Sequence, residues 1–225
     1  MVLKRTLAFF AVIIVFALAV SIVAFSTYYI GPFDLAIRLL ALNGFIALSV
    51  AAILTPFIKE VTLFFKKSFI KVHHYFAASG LLLITLHPIS AVLQALNPAL
   101  FLPNVGSFYL FLFYGGSIAL IAIYTAFGAV LLRKKAVSYW RPFHALMYLA
   151  LFFAVIHANL AGYDFQNVYL MIIYDGLFIA VIIAFVLKRL QFYKIKAQRK
   201  KMVNKQNNLS ANKDKPKLIY FLEKT

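Results

Sequence analysis

The chain has 225 residues, 64% of them hydrophobic and only 13% charged. Soluble domains run near 25% charged, and a chain this short cannot hide so much apolar surface in one aqueous core, which excludes an ordinary soluble domain. The formal charge of +17 suggests nucleic acid until its placement is read. Most of the excess borders apolar blocks, where it compensates anionic lipid, so the expected partner is the bilayer and no nucleic acid.

Six apolar blocks follow in order, at residues 7–30, 38–58, 70–96, 107–132, 143–161 and 169–187. Each is long enough to cross roughly 30 Å of hydrocarbon as a helix. The expectation is an all-α, polytopic six-helix transmembrane bundle over residues 1–190. The first block begins after Lys4–Arg5, as a signal peptide would, but no small-residue cleavage site follows, and it reads as a retained helix. With six spans, 22 of the 23 basic residues fall on one side. They are Lys4 and Arg5, the group from Lys59 to Lys71, the group from Arg133 to Arg141, and the twelve from Lys188 to Lys224. Arg38 alone falls on the other. The positive-inside rule then predicts a multi-pass cell-membrane protein with both termini cytoplasmic. Residues 191–225 read as a basic cytoplasmic tail without apolar periodicity, mobile or surface-associated; docking of a soluble partner is the alternative.

Acidic groups before the tail are Asp34, Glu60, Asp164 and Asp175. That set is too thin for a chain of proton-carrying carboxylates, and it holds no acid pair for hydrolysis. Asp175, the most embedded, suits an interhelical hydrogen bond. The absence of cysteine removes disulfides and thiolate ligands.

The histidines carry the chemistry. His73 and His74 open the third span and His87 lies in its far half, while His144 and His157 take matching positions in the fifth. At 1.5 Å per residue, fourteen residues from His73 to His87 cover about 21 Å and thirteen from His144 to His157 about 20 Å. Two helices thus present imidazoles at two matching depths. This is the layout that two stacked haem b groups need, each iron held by one imidazole from each helix. His73 with His144 would form the inner site, and His87 with His157 the outer. Fourteen residues leave the third-helix pair about 40° apart around the axis, but thirteen leave the fifth-helix pair about 140° apart. The fifth helix must therefore bend or carry a local irregularity. His74 stays open as an alternative inner ligand. Lys71 and Arg141 are possible partners for haem propionates. Small residues from Phe76 to Gly80, at Gly115–Gly116 and at Gly128 would allow the close packing that flat haems require between helices. A single zinc or copper site is disfavoured, because two histidines lie some 20 Å from the other two and no carboxylate or thiolate joins them.

The segment WRPFHALMYLALFFAVIH at 140–157, with LTPF at 54–57, resembles the ferric reductase-like transmembrane domain superfamily. That superfamily includes bacterial haem-binding subunits of methionine-sulfoxide reductase systems, ferric-chelate reductases and NADPH oxidases. The resemblance covers about residues 35–190. It implies that the third- and fifth-helix histidines are haem ligands, at spacings of fourteen and thirteen in the oxidase branch, which His73, His87, His144 and His157 match. The bacterial subunits typically carry basic residues where this chain has His73 and His74, a difference that favours two haems. No Gly-rich nucleotide fingerprint follows the sixth span, so electrons would come from a separate flavoprotein or from membrane quinol. The expected function is inside-to-outside relay of single electrons to an outer-face acceptor such as ferric iron or a redox partner, as an oxidoreductase component. A transporter, or an assembly subunit with purely structural histidines, is the competing expectation.

Overall fold

A computed structural model describes the backbone of residues 2–135 and 137–213 and the side chains of 6–135 and 137–204. The end of the predicted tail, 214–225, and the side chains of Lys4 and Arg5 lie outside the described residues. Among the described residues every regular element is helical. They are α1 (Val2–Thr27), α2 (Pro32–Ile53), α3 (Ile58–Phe65), α4 (Phe69–Ala95), α5 (Phe108–Phe113), α6 (Gly115–Leu131), α7 (Trp140–His144), α8 (Leu146–Ala161) and α9 (Val168–Lys213). Single 3₁₀ turns stand at Pro98–Phe101 and Tyr163–Gln166.

Five stretches are long and apolar enough to cross a membrane: Thr6–Thr27, Pro32–Ile53, Phe69–Ala95, Trp140–Ala161 and Val168–Asn204. Their outward apolar side chains suit lipid, with Val12 67% and Ile22 66% exposed on α1; apolar surface on this scale is not left in water. The architecture is thus compatible with a multi-pass membrane protein. The remaining apolar block, 107–132, is not one helix. It divides at Tyr114 into α5 and the 17-residue α6, just before the Gly115–Gly116 pair.

The bundle spans residues 1–185 as one unit. Within it, α2 packs along α4, and α5 with α6 packs along α8. Both pairs are antiparallel. Glycine sets the closeness of the first pair: a Cβ on Gly44 would lie 2.7 Å from Ile84 Cγ1, and one on Gly80 2.8 Å from Leu48 Cγ. Gly80, expected to permit close packing between helices, lets α2 approach α4. The two pairs meet more loosely. Thr85 of α4 and Tyr124 of α6 share a hydrogen bond of 2.7 Å, and Phe45, Ile123, Leu151 and Val155 join one apolar core with Tyr174 and Val181 of α9.

The short α3 was not foreseen. Its Val61 and Phe65 are buried among Phe9, Phe10, Val72 and Phe76, and Phe10 stacks on Phe76 with ring centres 5.7 Å apart. Asn167 starts α9, its side-chain oxygen accepting from Tyr169 N at 3.0 Å, the usual role of an N-cap amide. Asp175 accepts from Asn159 Nδ2 at 2.9 Å, the interhelical bond expected of it.

From Val186 the chain forms a second unit. It is helical as far as Lys213, so the segment read as a basic tail without apolar periodicity is helical over its first part. The side chains from 191 to 204 are all exposed.

Alanine at Gly80 should lower stability by about 1–3 kcal/mol through overpacking against Leu48. Alanine at Gly128, where nothing lies within 4 Å of the added Cβ, should be neutral or slightly stabilising through better helix propensity. Thermal unfolding of the two variants in the same detergent reads the difference.

Candidate functional site

Four of the five histidines face into the bundle, and each addresses a backbone carbonyl on the neighbouring helix. His73 Nδ1 is 3.0 Å from Ala51 O, His87 Nδ1 3.0 Å from Ile37 O, and His157 Nδ1 2.6 Å from Phe113 O. A carbonyl only accepts, so Nδ1 carries the proton in each and Nε2 keeps its lone pair. His144 Nδ1 is buried and interacts with the Ala126 carbonyl without closing an aligned hydrogen bond.

The acceptors follow from how the helices end. Ala51 lies in the last turn of α2, where carbonyls lack an intrahelical donor; Thr55 N turns back to Ala52 O, which leaves Ala51 O to His73. Phe113 closes α5. There Ser117 N donates to Tyr114 O at 3.1 Å, one residue short of the α-helical partner, and Phe113 O is left to His157. The break at Tyr114 thus supplies an acceptor.

A second break, at Ala145, separates α7 from α8 immediately after His144. Ala145 N is shared between Arg141 O and Pro142 O, and Tyr148 N returns to Ala145 O at 3.1 Å. A turn tightened to three residues adds about 20° of rotation per residue. That rotation moves His157 toward the face of His144, so the irregularity expected of the fifth helix is present and has the required sense.

The histidines stand in two pairs. The rings of His73 and His144 are centred 6.5 Å apart and nearly perpendicular, at 79°. Phe69 lies against His73 at 5.6 Å and Trp140 beside His144 at 6.4 Å. His87 and His157 line a common cavity of about 700 Å³ enclosed by α2, α4, α6 and α8. Its walls are mostly apolar, including Leu42, Phe45, Leu120 and Leu151. Gly116 forms a cradle for His157: a Cβ there would meet the ring's Cδ2 at 3.0 Å and its Nε2 at 3.1 Å. Among the described residues no three His, Cys, Asp or Glu side chains converge as a metal-ion site.

His74 is exposed, and its ring lies 6.1 Å from that of His73 on the outside of the bundle. Lys71 is exposed too. Arg141 is also exposed, its guanidinium over the Trp140 ring at 5.4 Å.

One end of the cavity holds a charged cluster that sequence reasoning did not assemble. Arg38 is buried, with Nε 3.4 Å from Asp34 and Nη1 3.4 Å from Asp164. Its Nη2 donates to Ala24 O at 3.1 Å and to Tyr28 O, satisfying carbonyls at the end of α1. Tyr28 packs beneath the guanidinium and stacks on Tyr163 at 4.7 Å. Burial pushes the Asp164 carboxyl up from its ordinary range; Arg38 opposes this and Asp34 adds to it. The signal in the sequence was the isolation of Arg38 together with Asp34 four residues earlier. Nothing in the sequence tied either to Asp164.

Comparison with models of protein families, with curated proteins and with solved structures gives no match for this chain.

Methionine at Arg38 would strand Asp164 in the bundle and release the α1 carbonyls. Breaking a buried ion pair from one side costs about 3–5 kcal/mol, and the unfolding temperature in detergent should fall accordingly. Combining R38M with D164N should restore part of the loss, whereas simple additivity would show that Asp164 does not depend on Arg38.

Proposed function

We propose that the chain is a six-span membrane cytochrome of the ferric reductase-like type, an oxidoreductase component with both termini cytoplasmic, in which four histidines hold two haem b groups. The observation that carries this is the pairing of four imidazoles across two helix pairs, with backbone carbonyls holding Nδ1 of His73, His87 and His157 so that their Nε2 remains free to ligate. Histidines that bind metal are commonly fixed this way through the other ring nitrogen.

The residues fit the group. Two imidazoles bound to one metal at about 2.0–2.1 Å have ring centres roughly 6 Å apart, and His73 and His144 stand at 6.5 Å. Two nitrogen ligands leave an ordinary metal ion under-coordinated, whereas a porphyrin supplies the equatorial ligands itself. The cavity between His87 and His157 lies within the size range of cofactor pockets, about 300–1,000 Å³. When bound, the two haems supply one-electron carriers at two depths of the membrane.

The chain's own residues do the rest. The Nδ1–carbonyl bonds hold His73, His87 and His157 in one tautomer and orientation. Apolar walls keep water from the outer site. Of the two adjacent histidines, His73 is the inner ligand on this reading, since it faces His144 while His74 faces outward. Lys71 and Arg141, exposed near the inner site, remain candidates for the propionates. A separate flavoprotein or membrane quinol donates electrons at the cytoplasmic face, and ferric iron or a redox partner accepts them outside.

A reduced-minus-oxidised spectrum with a pyridine haemochrome count on detergent-purified protein is the direct test. Two b-type haems per chain are expected. Alanine at His73 or His144 should remove one, alanine at His87 or His157 the other, and H74A neither. Valine at Gly116, pressing on the Nε2 edge of His157, should deplete the outer haem alone. Protein that remains colourless from haem-supplied cells would falsify the assignment and leave the histidines structural.

Topology is tested separately. Reporters active only outside the cytoplasm should work when inserted at Leu102 and fail when fused at the C-terminus; the reverse pattern would overturn the orientation.

A further inference from the structure

Arg38, Asp34 and Asp164 hold an unbalanced charge. One guanidinium faces two carboxylates, and it also carries the carbonyls of Ala24 and Tyr28. The Arg38 and Asp164 side chains are 9% and 5% exposed. With both acids ionised, the cluster bears a net negative charge at the end of an apolar cavity, a costly arrangement unless a cation or a proton compensates it. Neither ion contact is an aligned hydrogen bond: Arg38 Nη1 and Asp164 Oδ1 both lack a hydrogen-bond partner. The buried Tyr174 hydroxyl, on the cavity wall, lacks one as well.

We infer that Asp164 is a proton-binding site coupled to the redox state of the outer haem, an inference that rests on the haem assignment above. Reduction adds one electron to the outer centre and removes one unit of positive charge from the cavity. Asp164 then takes one proton from the outer medium, and it releases that proton when the electron passes on. Electron and proton enter and leave together, and charge in the cavity is conserved.

Asp164 lies seven residues beyond His157 on the connection to α9, so it acts through the field in the cavity and is not a ligand. The titratable or charged groups around it are Arg38 and Asp34 of α2, Tyr163 beside it, Tyr28 beneath Arg38, Tyr174 of α9, and Tyr114, His87 and His157 across the cavity. On this reading the two histidines are ligated and do not titrate. An arginine side chain is not deprotonated in proteins and a neutral phenol has no proton to gain near neutral pH, which leaves the carboxylates. Of the two, Asp164 is the more buried, Asp34 being 18% exposed, and burial already favours its protonated form.

The test is a spectroelectrochemical titration of the purified full-length protein between pH 5 and 9, with dithionite as reductant. One proton per electron lowers the potential by about 59 mV for each tenfold fall in proton concentration. The outer haem should show a slope approaching that value over part of the range, and the inner haem should stay flat as an internal reference. D164N should flatten the outer haem, and D164E, which keeps a carboxyl, should retain the slope. A purely structural Asp164 would change stability and leave the slope in place. A flat outer potential in the unmodified protein, or a slope that survives D164N, overturns the inference.

Should D164N fail to accumulate, the unmodified protein decides. Its reduced-minus-oxidised infrared spectrum should gain a protonated-carboxyl band, which D164E shifts; no such band overturns the inference. Absence of haem absorbance would overturn the functional assignment along with it, whereas haem with flat potentials would overturn this inference alone.

Discussion

Hydrocarbon offers no water to a carbonyl that a helix has left unpaired, and the inner architecture of this bundle follows from that constraint. The helices leave carbonyls open at the end of α2 and at the end of α5, and histidines of α4 and α8 occupy them. Each such bond does two things at once. It satisfies a backbone group that would otherwise be costly to bury, and it turns an imidazole so that its second nitrogen is available. The breaks at Tyr114 and Ala145 are half-buried, and each adjoins a histidine contact.

At the opposite extreme from these neutral bonds is Arg38, in the second turn of α2. It gathers α1 through two carbonyls, α2 through Asp34 and the connection to α9 through Asp164. α1 otherwise presents much of its surface outward. At its other end it is held by aromatic packing, Phe9 and Phe10 against Phe65 and Phe76. A charged hub at one end and a phenylalanine cluster at the other fasten this helix, and between them Phe16 and Val20 join the core while Ser21 accepts from Asn43 Nδ2.

Much of this was legible in the sequence. Apolar run length marked α1, α2, α4, the α7–α8 segment and α9, because spanning helices need only length and composition. Histidine spacing marked the paired depths, and the thirteen-residue interval required an irregular fifth helix, which Ala145 supplies. What escaped detection depends on backbone. A carbonyl belongs to every residue, so nothing distinguished Ala51, Ile37 or Phe113 as acceptors. The break at Tyr114 lies inside an apolar run without charge or proline, with only Gly115–Gly116 as a hint. α3 is too short to register as a span, and Asp164 is separated from Arg38 by most of the chain. Helicity beyond residue 190 was missed because that stretch has no apolar face, the feature by which helices are ordinarily recognised.

The matching intervals on facing helices carry one more consequence. His73 and His87 are fourteen residues apart, as are their acceptors Ala51 and Ile37; His144 and His157 are thirteen apart, as are Ala126, whose carbonyl lies beside His144, and Phe113, the acceptor of His157. Each helix pair is a ruler with two marks. Because the acceptors are backbone oxygens, side chains at those positions can change without loss of the mark. Removing or adding a single residue between the marks on one helix would misalign both, unless its neighbour changed length in step. What such a fold must transmit between descendants is therefore the distance between marks more than the identity of the residues that bear the acceptors.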